Sequence, residues 1–285
     1  METLPVEDLQ DRIQTHARDW SVEVEHTAET ETAVLLFGHR RNRPVVLKVL
    51  RRRGDEWHAG EVLAAFEGRA VVRVYEYTDG AVLLERLLPG TALVDLALDG
   101  HDNEATDILA DVIGAMAPRA APASSPTVLD WAGGFDRYAA IGEGQIPDDL
   151  LSQAQEVYSQ LCHSQSRVRL LHGDLHHYNV LFDAERGWLA IDPKGVVGEA
   201  EFEIGAALRN PYDRPDLFAR PGIVERRLTR LASRLTIDPG RALSWGFAQA
   251  VLSAVWTVED GLPFDSQNPG LLLAQAIRPM LGARS

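Results

Sequence analysis

Cysteine is almost absent: the 285 residues contain one, Cys162. A single thiol cannot form an intramolecular disulfide, which excludes a disulfide-stapled scaffold and fits a reducing, cytoplasmic compartment. Cys162 falls on a predicted helix and reads as a small buried hydrophobe, not a nucleophile. Long apolar runs are missing too. The richest, Trp245 to Val258, is too short for a bilayer and is broken by Gln249 and Ser253, so no membrane partner is expected. The opening METLPVEDLQDRIQ is acidic and lacks the apolar core of a signal peptide. Positive charge is scarce: 28 Lys and Arg stand against 42 Asp and Glu, a net charge of −14. Nucleic-acid binders need a basic footprint, so that partner class is excluded. An acidic surface favours solubility and attracts small cations. There is no internal repeat and no Cys/His cluster of metal-binding type. What remains, 45% hydrophobic and 25% charged, is an ordinary globular composition with length for one or two structural units, as monomer or homodimer.

The most informative stretch runs from Leu170 to Pro211: LLHGDLHHYNVLFDAERGWLAIDPKGVVGEAEFEIGAALRNP. Asp174 and Asn179 have the D-x-x-x-x-N spacing of a phosphoryl-transfer catalytic loop. That chemistry needs one carboxylate to orient and accept the proton of an attacking hydroxyl. It also needs a side-chain amide oxygen and a second carboxylate to hold Mg²⁺ against phosphates. Asp174 suits the first role; Asn179 and Asp192 suit the second. Val168 to Leu171 is predicted as a strand, Val180 to Phe182 as another, Asp183 to Gly187 as a turn and Trp188 to Ile191 as a third strand. A hairpin of the last two brings Asn179 and Asp192, 13 residues apart, to face one ion. Asp and Asn are ordinary loop residues, but His172-Gly173 before them and Ile191-Asp192-Pro193 after them make the string far more specific. His176 and His177 are expected to pack or hydrogen-bond rather than bind zinc.

HGDLHHYN followed by IDPKGVVGEAEFEIGAALRNP resembles the aminoglycoside phosphotransferases, and within them the streptomycin 6-kinase and hydroxyurea kinase branch. The resemblance is strong over residues 170–211, moderate over about 33–90 and weak elsewhere. It implies an α+β, protein-kinase-like fold of two lobes. Residues 1–88 would form a small antiparallel-sheet lobe that binds nucleotide, and residues 89–285 a larger, mainly helical lobe for catalysis and substrate. It also implies ATP and Mg²⁺, and a small-molecule acceptor of cationic character.

Lys48, inside the apolar run Pro44 to Leu50, matches the kinase strand lysine that holds the α/β-phosphates and pairs with a helix glutamate. Residues 55–67 have helical spacing, and Glu61 near their middle is the expected partner. Glu56, five residues earlier on a different face, is the alternative. The first hairpin, Val22 to His26 and Thr32 to Phe37 around Thr27 to Thr30, has no glycine where protein kinases are glycine-rich. Thr27, Thr30 and backbone N–H groups are left to cover the phosphates. Val71 to Tyr77 and Ala81 to Leu84 flank Asp79-Gly80, a hairpin signal. The following Glu85 to Gly90 resembles the family's hinge, where Glu85 and Leu87 would offer backbone groups to adenine.

Helices are predicted over 4–19, Ala92 to Leu98, Glu104 to Met116, Leu129 to Ala140, Pro147 to Cys162, 200–208, 221–235, 239–258 and 268–282, with a Pro/Ala/Ser-rich surface loop at 117–128. Glu203 occupies the place where the family has an aspartate that braces the catalytic loop. Lys194 meets either a phosphate or an acid. Glu199, Glu259 and Asp260 are candidate contacts for substrate amines, against the plainer reading of solvated acids. The expected function is an ATP-dependent small-molecule O-kinase acting on streptomycin or a related aminocyclitol. Hydroxyurea, an amino sugar, a sugar or another metabolite are the alternative acceptors. A protein kinase is disfavoured: Gly173 stands where that class has arginine, there is no DFG or APE, and only about 19 residues separate Asp192 from Pro211. A non-catalytic nucleotide-binding protein of kinase fold is the third reading, and the intact Lys48, Asp174, Asn179 and Asp192 argue against it.

Overall fold

The computed structural model describes residues 6–54, 56–141 and 144–282. Helix α1 (Val6–Asp19) leads into strands β1 (Glu23–Glu29), β2 (Ala33–Arg40) and β3 (Arg43–Leu50). The expected helix start at residue 4, with Pro5, lies outside the described residues. Helix α2 (Ala59–Ala65) and the hairpin β4 (Val74–Thr78) and β5 (Ala81–Glu85) follow. The five strands form one antiparallel sheet in the order β1-β2-β3-β5-β4. Alternation along β3 sends Val45, Leu47 and Val49 to one face, where they pack with Leu9 of α1, Leu36 and Leu83. Lys48 therefore points to the opposite face, toward the cleft.

Strands β1 and β4 are among those that differ from expectation. β1 continues through Thr27, Ala28 and Glu29, which pair with Leu36, Leu35 and Val34. It is an edge strand exposed along its whole length, so no apolar alternation marks its end. The turn comes at Thr30, whose Oγ1 accepts from the Ala33 N–H at 2.9 Å and donates to the Ala33 carbonyl at 3.1 Å. At the other end, Val71 and Val72 lie outside β4. Val72 N–H donates instead to the Ala190 carbonyl of the catalytic segment at 2.9 Å.

The rest of the chain is mainly helical. In order it comprises β6 (Pro89–Ala92), α3 (Leu93–Leu98), α4 (Asp102–Ala115), α5 (Val128–Trp131), α6 (Gly133–Ile141), α7 (Asp148–His163), β7 (Arg169–Leu171), β8 (Val180–Asp183), β9 (Gly187–Ala190), β10 (Val196–Gly198), α8 (Ile204–Leu208), α9 (Pro221–Leu235), α10 (Pro239–Glu259) and α11 (Pro269–Ile277). Helix α10 is the axis of this lobe: Trp245, Phe247, Val251, Leu252 and Val255 are fully buried. Trp245 stacks edge-on against Tyr158 of α7 and against Phe202. Arginines of α9 tie it to α4 through Asp102, Asp107 and Asp111. Among the described residues, no helix is long and apolar enough to cross a membrane.

The sheet lobe reaches the helical lobe through Arg86 to Leu88, and that link is pinned. Leu88 N–H donates to Asp183 at 3.0 Å and the Leu88 carbonyl accepts from Ala184 at 2.7 Å. Arg186, in the β8–β9 turn, pairs with Glu85 and donates to the Gly68 carbonyl. The β8–β9 hairpin is thereby fastened to the back of the sheet lobe.

Candidate active site

The loop that carries Asp174 is held from beneath by one buried carboxylate. Glu203, 2% exposed, accepts from the His172 N–H at 2.8 Å and the Gly173 N–H at 3.0 Å. Burial pushes this carboxyl up to about 7 despite those two bonds. Gly173 turns with φ +83°, and a Cβ there would meet Val196 at 2.9 Å and Trp131 at 3.1 Å, so only glycine fits. His172 is fully buried and held down to about 4 by that burial. It stays neutral: Nε2 donates to the Ile191 carbonyl at 2.8 Å while Nδ1 accepts from the Asp174 N–H at 3.3 Å. One imidazole thus links the loop that carries Asp174 to the strand end that carries Asp192.

Asp174 faces two cationic or protonatable groups. His176 Nε2 lies 3.7 Å from one carboxylate oxygen and Arg209 3.6 Å from the other. Burial alone would raise the Asp174 carboxyl, but His176, Arg209 and Lys194 outweigh it and hold it well below the usual carboxylate range. Asn179 Nδ2 donates to the Asp174 carbonyl at 3.0 Å, which turns its Oδ1 away from the loop. The hairpin pairs Val180 with Ala190, and Ile191 N–H donates to the Asn179 carbonyl at 2.9 Å. Asn179 and Asp192 therefore flank one position, as their spacing anticipates. Asp192 sits at φ +54°, a left-handed conformation uncommon outside glycine and tolerated best by Asp and Asn.

Lys48 Nζ bridges Asp192 Oδ1 and Glu56 Oε2, each at 2.9 Å. Its partner is thus Glu56 and not Glu61, which accepts from Ser124 Oγ at 2.9 Å on the other side of α2. The reason is where the helix begins. Residues 56–58 form a turn and α2 starts only at Ala59, so Glu56 leaves the backbone before any helical face exists. The second oxygen of Glu56 accepts from Lys194 Nζ at 2.8 Å. Burial would raise the Glu56 carboxyl, yet the two ammoniums hold it down to about 2. Asp192 and Glu56 likewise outweigh the cost of desolvating Lys48, which stays charged.

Other assignments fall differently. Glu85 N–H donates to the Arg73 carbonyl at 3.0 Å, and its carboxylate takes the Arg73 N–H and Arg186. Leu87 is buried in the link. Glu199 is not a substrate contact: it is 2% exposed and closed by Arg241 and the Trp245 indole N–H. Glu259 is matched by a two-pronged bond to Arg137 at 2.8 and 3.1 Å. Asp260, exposed at the end of α10, remains at the surface. The path from the loop to this end of α10 is aromatic, since Trp131 beside Gly173 meets Trp256 edge-on at 5.3 Å. Glu56, the alternative partner of Lys48 in the sequence, also takes Lys194, one of the two options open for that lysine, while Arg209 beside Asp174 is the site residue that sequence reasoning did not place.

Comparison with known proteins gives the family. Residues 19–261 match the family model described as aminoglycoside/hydroxyurea antibiotic resistance kinase. The chain is 36% identical over 238 residues to the streptomycin 3''-kinase of Klebsiella pneumoniae, covering 81% of this chain and 86% of that one. It is 33% identical over 219 residues to the hydroxyurea phosphotransferase of Kitasatospora aureofaciens, covering 73% and 61%. Among solved structures, a ternary complex of a thermostable mutant of aminoglycoside phosphotransferase APH(4)-Ia with AMP-PNP and hygromycin B superposes with a TM-score of 0.62 at 16% identity, over 95% of this chain and 98% of that one. At that identity the likeness concerns the fold. On the sequence match, the chain belongs to the aminoglycoside/hydroxyurea antibiotic resistance kinase family.

Proposed function

We propose that this protein transfers the γ-phosphoryl group of ATP to a hydroxyl of a small cationic aminocyclitol, with streptomycin as the first acceptor. The observation that carries the reading is the meeting of Lys48, Asp192, Asn179 and Asp174 in one cleft between sheet and helices. The acceptor class is supported by the streptomycin kinase among the relatives and by the acidic balance of the chain, −14.

The residues present fit Mg²⁺. Asp192 and the Asn179 amide oxygen are hard oxygen donors on adjacent strand ends, and Mg²⁺ prefers one or two protein oxygens together with phosphates and water. Bound there, the ion would neutralise charge on the β/γ-phosphates. Lys48, held by Glu56, would grip the phosphates, and Leu87 with the Glu85 segment would receive the adenine. The acceptor oxygen forms the new bond to phosphorus, the bond to the β–γ bridging oxygen breaks, ADP leaves, and the hydroxyl proton passes to Asp174. A carboxylate held this far below neutrality is a weak base in the ground state. Asp174 therefore acts mainly by orienting the hydroxyl, and takes the proton late, as a loose transition state allows.

One further acceptor has support of its own: the 33% identity to a hydroxyurea phosphotransferase. Mg²⁺-dependent ADP release with streptomycin, other aminoglycosides, hydroxyurea and amino sugars separates the two. Turnover on streptomycin with none on hydroxyurea is expected; the reverse pattern overturns the acceptor assignment. Asp174→Ala is expected to lower kcat by ~10²–10⁴, the usual size of a general-base loss.

A further inference from the structure

Lysine is rare in this chain: only Lys48 and Lys194 occur, the other basic residues being arginine or histidine. Both lysines bind the same carboxylate. Lys48 reaches Glu56 from β3, and Lys194 reaches it from the catalytic segment. The Lys194 backbone is fixed to the catalytic loop, since Lys194 N–H and Gly195 N–H both donate to the His172 carbonyl, at 2.9 and 3.1 Å. Its Cβ lies 3.6 Å from where a Cβ on Gly173 would stand. From there the side chain crosses the cleft to the sheet lobe. Its charge is close enough to Asp174 to help keep that carboxylate ionised. Its side chain is 31% exposed, against 8% for Lys48.

These placements set Lys194 between two groups with assigned tasks. On one side is Asp174, which orients the acceptor. On the other are Lys48 and Asp192, which face the nucleotide phosphates. The phosphoryl group in transit must pass through that interval. We propose that Lys194 is a second phosphate-contacting lysine, which donates to the oxygens of the transferred γ-phosphoryl group while Glu56 positions it beside Lys48. The inference rests on the kinase reading above. In a loose transition state, charge spreads over the three equatorial oxygens. A fixed cation there stabilises the transition state more than bound ATP, so its loss lowers kcat with little change in KM. A mere clasp between lobes would behave otherwise: its loss would loosen Glu56 and Lys48 and weaken nucleotide binding.

The test compares wild type, Lys194→Met and Lys194→Arg in two assays. One measures kcat and KM for ATP with the best acceptor. The other needs no acceptor and measures the affinity for MgADP with and without aluminium fluoride, a mimic of the phosphoryl group in flight. Lys194→Met is expected to lower kcat by ~10²–10³, the scale for removing one transition-state donor, with KM for ATP within about threefold. It is expected to bind MgADP normally and to lose the tightening by aluminium fluoride, with Lys194→Arg recovering part of both. Near-normal kcat, or loss of MgADP affinity in step with activity, overturns the proposal. If wild type turns over no acceptor, the acceptor reading falls, and aluminium fluoride still decides this one. Tightening in wild type but not in Lys194→Met supports it; no tightening, or equal tightening in both, overturns it. Should Lys194→Met fold poorly, Lys194→Gln provides the same comparison.

Discussion

Replacing Glu203 with glutamine is expected to change how stability responds to pH, by an amount that follows from its burial. The carboxylate accepts two loop N–H groups yet titrates at about 7 rather than 4.5, because desolvation outweighs those bonds. The native state thus binds this proton more tightly than the unfolded chain does. The stabilisation from Glu203 is fully present below 4.5 and is lost as pH rises through about 7. At 1.36 kcal/mol per pH unit, that displacement amounts to ~3 kcal/mol. Two buried histidines act in the opposite sense. His172 is held down to about 4 from 6.5, and His177 well below 6.5, both by burial. Their stabilisation is present above the unfolded value and is lost on acidification. The wild-type curve alone mixes these effects, but both histidines remain in Glu203→Gln, so the difference between the two proteins isolates Glu203. Urea unfolding followed by tryptophan fluorescence measures it. Wild type is expected to lose ~3 kcal/mol relative to the variant between about pH 4.5 and pH 8. A difference constant to within ~0.5 kcal/mol across that range would refute the argument, because a group that does not titrate cannot make stability depend on pH.

The two helix-region glutamates should separate cleanly. Glu56→Gln leaves Lys48 and Lys194 without their shared charge and is expected to raise KM for ATP and lower kcat together, by ~10-fold or more, about the effect of losing one charge-assisted bond. Glu61→Gln, which alters only the contact to Ser124, is expected to stay within about twofold in the same steady-state assay, as surface substitutions usually do. Gly195→Ala is expected to cost ~2–3 kcal/mol in thermal unfolding. The residue has φ +75°, and its new Cβ would meet Val62 of α2 at 2.5 Å, so a melting point unchanged from wild type would contradict this close approach of Val62 to Gly195.

The catalytic segment was legible because its signals are local. Two short strands, a turn and a fixed interval bring Asn179 opposite Ile191 and so next to Asp192, without reference to the rest of the chain, and the pairing of Val180 with Ala190 follows. The apolar stripe of α7 was legible for the same reason: Leu150, Ala154, Tyr158 and Leu161 recur at helical spacing and are buried. The partner of Lys48 was not, since it depended on whether the helix begins before or after Glu56, a boundary that periodicity locates poorly. Glu199 reads from sequence as a loop acid. Its burial comes from Arg241 and Trp245 on α10, 42 and 46 residues away, and no local pattern signals a contact at that range. Arg209 beside Asp174 is hidden in the same way, by a fold that brings α8 under the catalytic loop. The length of β1 escaped because a fully exposed edge strand has no alternation to read.

The most direct test of the account is phosphorus NMR of streptomycin incubated with ATP and Mg²⁺, run with wild type and with Asp174→Asn. The account predicts a new phosphomonoester on the antibiotic, ADP in equal amount, and loss of both when Asp174 is replaced or the metal is chelated. ADP without a phosphomonoester, or equal product from Asp174→Asn, would contradict the claim that this cleft carries phosphoryl transfer to a hydroxyl.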